Sequence, residues 1–111
     1  MKLITAIVRP DRLDELIDTL VGHQARGLTV TEVRGFGRQF GQLAGRTAVS
    51  PVALLPKARL DLVVLDEDVE MLLEAITKHA RTDRIGDGKI WITPVDGVLR
   101  VRTGERDHAA L

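Results

Sequence analysis

The sequence predicts an α+β fold in which one antiparallel sheet is covered on a single face by two helices, and three observations carry that prediction. Short β-branched runs alternate with two amphipathic helical patterns in the order β α β, β α β. The turns between them are marked by glycine, proline and aspartate, and 111 residues with 44% hydrophobic side chains suffice for one modest core. The whole chain, 1–111, therefore reads as a single domain. A chain of this size buries only about 60–70% of the surface its unfolded form exposes, so association with further copies would enlarge its core.

Each element has its own signal. Lys2 to Val8 is an apolar run closed by Arg9 and Pro10, which reads as a buried strand. Asp11 stands where a helix N-cap is expected, with Asp14 three residues on. Leu13, Leu16, Ile17, Leu20 and Val21 then recur at helical spacing until Gly22 and Gly27 end the pattern. Leu28 to Gly35 is a second strand, and Lys57 to Leu65 a third that alternates and then runs together in Leu62, Val63, Val64 and Leu65. The acids Asp66, Glu67 and Asp68 suit the positive end of a second helix, whose stripe is Val69, Leu72, Leu73, Ile76 and Ala80. Lys89 to Val95 and Val98 to Arg102 read as two closing strands joined through Asp96 and Gly97, followed by a polar tail. The doubled βαβ order is the ferredoxin-like arrangement, here with an extra C-terminal strand. That arrangement hosts many activities, so function has to be argued from sites.

Composition removes several classes. Lys+Arg and Asp+Glu are 16 each, which excludes a globally basic nucleic-acid binder. There is no cysteine, hence no disulfide, thiolate metal site or cysteine nucleophile. The apolar run at the N-terminus is too short for a signal or membrane-spanning segment, so the expected location is the cytoplasm. Aromatic residues number only Trp91, Phe36 and Phe40, too few for a sheet that stacks bases. His23, His79 and His108 are scattered without metal-ligand spacing, and Ser50, the only serine, has no base beside it. The acylphosphatase-like use of this fold needs an asparagine, and the chain has none.

Between the second and third strands, residues 37–56 show no period, and loops of such length in compact domains are usually functional or disordered. Residues 38–57 hold Arg38, Arg46 and Lys57 and no acid, an excess of three positives. Residues 58–80 hold two basic and six acidic residues, a deficit of four, so neutrality conceals a segregated surface.

Three segments are suited to anions. Gly35, Gly37 and Arg38 lie at the end of the second strand, where glycines let backbone amides approach a ligand, although a G-x-G there is ordinarily a bulge or turn. Thr82 to Lys89 contains Gly86, Asp87, Gly88 and Lys89 without the spacing of a Walker A loop. Arg100 and Arg102 alternate on the predicted last strand, and paired guanidinium forks suit phosphate.

The runs from Met1 to Pro10, Thr29 to Gln39, Ala80 to Trp91 and Val101 to Arg106 together resemble the PII nitrogen-regulatory signalling proteins over nearly the whole chain. The resemblance implies a homotrimer with nucleotide sites between subunits that bind ATP or ADP and, with Mg-ATP, 2-oxoglutarate. It implies a T-loop at 37–56, a B-loop at 82–89 and a C-loop at 100–106. Nucleotide contacts carry over to Thr29, Gly35, Gly37, Arg38, Asp61, Gly86, Asp87, Gly88, Lys89, Arg100 and Arg102, with Thr29 and Asp61 near the base and ribose and the arginine pair supplied by a neighbouring subunit. Gln39 carries over to the magnesium shell, a hard ion that accepts an amide oxygen, and Gln39, Gly41 and Lys57 to the 2-oxoglutarate site, Lys57 pairing with the distal carboxylate. Arg46 resembles a loop-tip arginine that some members insert into an ammonium transporter, so the implied partner is a regulated target, an ammonium transporter or a metabolic enzyme.

The chain departs from the family pattern in that loop. It has no tyrosine, which rules out nucleotidylylation of one, and the matching stretch reads Thr47-Ala48-Val49-Ser50-Pro51, with Ser50 a potential phosphorylation site. Asp61 is shorter than the glutamate the family often has. The sequence thus implies a non-enzymatic regulator in which ligand occupancy of the intersubunit clefts is the input to the loop; the alternative is a sensor of another small anion, such as bicarbonate, with a partner outside nitrogen metabolism.

Overall fold

Side-chain alternation decides which face of each strand is buried, and the two helices then cover that face. The computed structural model describes residues 1–38 and 53–111. It contains β1 (Lys2–Val8), α1 (Leu13–Gly22), β2 (Thr29–Gly35), β3 (Leu55–Val64), α2 (Val69–Ala80) and β4 (Lys89–Pro94). The strands form one antiparallel sheet in the order β2-β3-β1-β4, so β3 lies between the two strands of the first βαβ unit, as the ferredoxin-like arrangement requires.

On one face Ile4, Ala6 and Val8 of β1 and Ala58, Leu60, Leu62 and Val64 of β3 are buried under Leu16 and Leu20 of α1 and Leu72 and Ile76 of α2. The stripe read on α2 faces the core, and Ala75 joins it. On α1 the stripe is narrower, because Val21 is exposed. The register aligns the opposite, uncovered face in rows: Thr29, Asp61, Thr5 and Trp91 in one, and Thr31, Arg59, Ile7 and Lys89 in the next.

Three expectations need correction. Asp11 is not an N-cap: Pro10–Arg12 form a 3₁₀ turn, α1 begins at Leu13, and no side chain caps it, since Pro10 already sets the chain into a turn that feeds the helix directly. The third strand starts at Leu55, two residues before Lys57, because pairing of Gly35 with Leu55 and Arg34 with Pro56 extends the ladder into the end of the predicted loop. The extra C-terminal strand over Val98 to Arg102 does not form. Leu99 bridges Arg106, the Gly104 N–H donates to the Arg100 carbonyl, and Asp107–Ala110 make a 3₁₀ turn. The segment closes on itself because Gly104, at φ +73°, reverses the chain after Thr103.

Candidate functional site

The loop between α2 and β4 is held against the ends of β1 and β3 by an interlocked set of polar contacts. Arg9, the first residue beyond β1, donates from Nε to Asp87 Oδ1 at 3.1 Å and from its terminal nitrogen to the Ile85 carbonyl at 2.6 Å. Lys57, from β3, donates to the Gly86 carbonyl at 2.7 Å. Asp87 also accepts from the Thr82 N–H at 2.7 Å and from the Thr82 hydroxyl. The carboxylate therefore ties the end of α2 to the start of β4 within its own loop, while Arg9 ties it to the sheet.

The electrostatics follow from this geometry. Burial pushes the Asp87 carboxyl up, yet hydrogen bonds from Thr82, Arg9 and the Asp83 N–H outweigh it and bring its pKa down to about 2. Burial, and then the Arg9 guanidinium, pull the Lys57 ammonium below its ordinary range, against the opposing effect of Asp87 and Asp11. Two cations are thus concentrated on one loop with a single carboxylate between them.

The glycines are required by the backbone. Gly86 and Gly88 take φ +98° and +93°, and a Cβ on Gly88 would lie 1.7 Å from the Ile7 carbonyl oxygen. With the Ile85 carbonyl turned inward to Arg9, the planar trans peptide aims the Gly86 N–H the other way. The Gly86 N–H is therefore directed away from Arg9, while Lys57 and Lys89, on the uncovered sheet face, bring positive charge to the flank of the loop; amides and cations of this kind suit oxyanions. A cleft of about 360 Å³ runs along the outer side of the same loop, lined by Asp11, Arg12, Arg81, Thr82, Asp83 and Arg84.

The remaining residues singled out from sequence divide into groups. Gly35 ends β2 opposite Leu55, and Gly37 and Arg38 follow it exposed, at the end of the sheet to which Lys57 belongs. Thr29 pairs in register with Asp61, whose carboxylate accepts from the Thr5 hydroxyl at 2.8 Å and from Arg59 Nε at 2.9 Å. The Arg59 hydrogen bond, against the effect of burial and with help from Thr5, holds the Asp61 carboxyl below its ordinary range. Gln39, Gly41, Arg46 and Ser50 lie outside the described residues.

Arg100 and Arg102 are not brought to this loop within the chain. The segment carrying them leaves β4 at Pro94, where the Val95 N–H donates to Met1, whereas Gly88 packs at Ile7 at the other end of β1. Arg100 bonds Glu105 at 3.1 Å and the Leu111 carbonyl at 3.0 Å, and Arg102 is exposed in a turn. With no strand there, the alternation that was to align the two guanidinium groups does not apply.

Sequence reasoning missed Arg9, Thr82, Thr5 and Arg59 as parts of these networks. Arg9 was legible only as the residue closing a strand, and its partners lie 76 and 78 positions away. Among the described residues no group of three His, Asp or Glu side chains could hold a metal ion, and no helix is long and apolar enough to cross a membrane.

Comparison with known proteins gives a consistent result. A family profile described as nitrogen regulatory protein P-II matches residues 1–105. The chain is 47% identical, over the full length of both, to a nitrogen regulatory protein P-II of Cereibacter sphaeroides. It is 48% identical to nitrogen regulatory protein P-II 2 of Methanothermobacter thermautotrophicus over all of this chain and 97% of that one. It is 43% identical to nitrogen regulatory protein GlnK of Escherichia coli over the full length of both.

Proposed function

The chain belongs to the P-II family of nitrogen regulatory proteins, and from that premise we propose that it is a homotrimeric, non-enzymatic sensor of ATP and ADP that controls a target protein through the segment following β2. With Mg-ATP it takes up 2-oxoglutarate. The nucleotide phosphates are held by the loop at 82–89 and by Gly35, Gly37 and Arg38, with Arg100 and Arg102 contributed by a neighbouring subunit. Gln39 completes the shell of the magnesium ion, and Lys57 receives the distal carboxylate of 2-oxoglutarate. A magnesium ion held there by Gln39 and the phosphates would supply neutralisation of the phosphate charge.

The observation that carries this reading is the loop held by Arg9, Lys57 and Thr82, in which two carbonyls accept from the two cations and two left-handed glycines shape the backbone, so that amides and positive charge are gathered at one end of the sheet. The separation of Arg100 from that loop within one chain supports a site completed by a second copy. Tyrosine modification is excluded by composition, so ligands act by binding loop conformations with different affinities.

Isothermal titration with ATP and ADP, each with and without 2-oxoglutarate, tests the proposal. Saturable binding of both nucleotides is expected, with 2-oxoglutarate binding only beside Mg-ATP and lost in Lys57→Ala. Absence of ATP and ADP binding overturns it. Binding of bicarbonate in place of 2-oxoglutarate would transfer the effector site to a different anion.

A further inference from the structure

Lys57 reaches the loop at 82–89 from β3, and its amine sits in surroundings that suit a neutral nitrogen. The side chain is half-buried, and among the described residues its one hydrogen bond goes to a neutral acceptor, the Gly86 carbonyl at 2.7 Å, with no carboxylate in ion-pair distance. The charged group set beside it is a second cation. A Cβ built on Gly86 would lie 3.1 Å from Lys57 Nζ and 3.6 Å from a terminal nitrogen of Arg9, and its three nearest atoms all belong to these two side chains. Because residue 86 is glycine, that one-carbon space between the two cations is left open.

These surroundings favour one kind of chemistry. Burial, and then the Arg9 guanidinium, disfavour the ammonium form against the pull of Asp87 and Asp11, so more of the amine is neutral and nucleophilic than at an ordinary lysine. A neutral primary amine adds to carbon dioxide: the nitrogen lone pair forms an N–C bond, the π pair of one C=O bond moves onto its oxygen, and the nitrogen releases a proton to water, leaving the anion R–NH–COO⁻. Arg9 stabilises that anion for the same reason that it disfavours the ammonium. It has five N–H donors and spends two, on Asp87 and on the Ile85 carbonyl, so three remain for carbamate oxygens. The carbamate nitrogen keeps one hydrogen, which is enough to donate to the Gly86 carbonyl as the amine does. Asp87 opposes the new anion, but its own carboxylate is engaged by Thr82, the Asp83 N–H and Arg9.

We propose that Lys57 is a reversible carbon dioxide site, forming a carbamate held between Arg9 and the Gly86 carbonyl. The adduct needs neither nucleotide nor effector, so it goes beyond the nucleotide-sensing function and stands or falls on the ligand-free chain. One consequence does rest on that function. A carbamate turns the cation assigned to the distal carboxylate of 2-oxoglutarate into an anion, so carbon dioxide and 2-oxoglutarate oppose each other.

The test equilibrates the ligand-free full chain with isotope-labelled bicarbonate and carbon dioxide at mildly alkaline pH, esterifies any carbamate with triethyloxonium, and locates the label by digestion and mass spectrometry. Carbon NMR of the untreated sample follows the same equilibrium. A labelled ester on Lys57 is expected, with a carbamate resonance that grows with dissolved carbon dioxide, disappears on degassing and is absent from Lys57→Arg. In Arg9→Gln the Lys57 adduct falls about threefold to tenfold, since losing the guanidinium both favours the ammonium and removes donors from the carbamate. The wild-type measurement decides the matter if a variant fails to fold. No trapped label overturns the inference, as does label confined to the Met1 amine, which Asp66 holds as an ion pair at 2.9 Å, or a Lys57 adduct undiminished in Arg9→Gln. Bound bicarbonate without a trapped ester overturns it too. All of these outcomes leave the nucleotide reading intact, which titration with ATP and ADP tests separately.

Discussion

The loop at 82–89 and the arginine-bearing segment at 100–106 read alike in the sequence, as short stretches able to receive an anion, but the fold treats them differently. The loop is fastened by long-range contacts: Arg9 reaches it from the end of β1 and Lys57 from β3. The arginine segment is fastened by its own neighbours, with Arg100 bonded to Glu105 and Leu111 and the Asp107 N–H bonded to the Val98 carbonyl. The difference teaches where preorganisation comes from. The loop is shaped by its own chain before any ligand arrives, whereas the arginine segment carries charge without a surface of its own chain to aim it at. A site using both draws one half from rigidity and the other from assembly.

The largest test of that contrast is Gly88→Ala. Its backbone conformation disfavours a side chain, and the added Cβ would meet the Ile7 carbonyl oxygen. A loss of about 3 kcal/mol or more in chemical denaturation is expected, together with loss of nucleotide binding. An alanine variant with unchanged stability would show the loop to be looser than its contacts imply.

Asp87→Asn is the next in size. Because the folded carboxyl titrates at about 2, below its ordinary value of 3.8, the ionised form is favoured by folding. Its stabilisation is present above pH ~4 and lost as pH falls toward 2, and amounts to about 2 kcal/mol. Denaturation across this range should show that loss in the wild type and a smaller one in Asp87→Asn. Parallel profiles would remove Asp87 from the latch.

Arg100→Ala should have the smallest effect on the fold. The Arg100–Glu105 pair is more than a third exposed, so its loss costs less than about 1 kcal/mol. If the segment serves a neighbouring subunit, ATP affinity falls about tenfold while the thermal midpoint stays near the wild-type value. A large stability change with unchanged affinity would reverse the roles assigned to the two segments.

Much of the architecture was legible because periodicity is local. β1 has the bounds that its apolar run marks, α2 buries the stripe read from Val69 to Ala80, and the strand order follows from the doubled βαβ pattern. Legibility failed where a local signal competed with a tertiary one. Asp11 resembles a cap, but Pro10 starts a 3₁₀ turn. Val98 to Arg102 alternates like a strand, but it lies past the edge strand β4 and bonds within itself instead. The glycines, Asp87 and Lys89 of the candidate site were visible as residue types, while the partners that orient them were not.

The sequence by itself determined the fold class, the family, the exclusion of cysteine and tyrosine chemistry, and the segments rich in glycine and cations, because composition and period are written along the chain. Only the tertiary structure decided that Arg9 and Thr82 hold Asp87, that Lys57 faces the Gly86 carbonyl, and that Arg59 and Thr5 hold Asp61. Those are meetings between residues far apart in sequence. Sheet register and the crossing of β1 between β3 and β4 bring them together, and no spacing along the chain encodes the distance across a sheet.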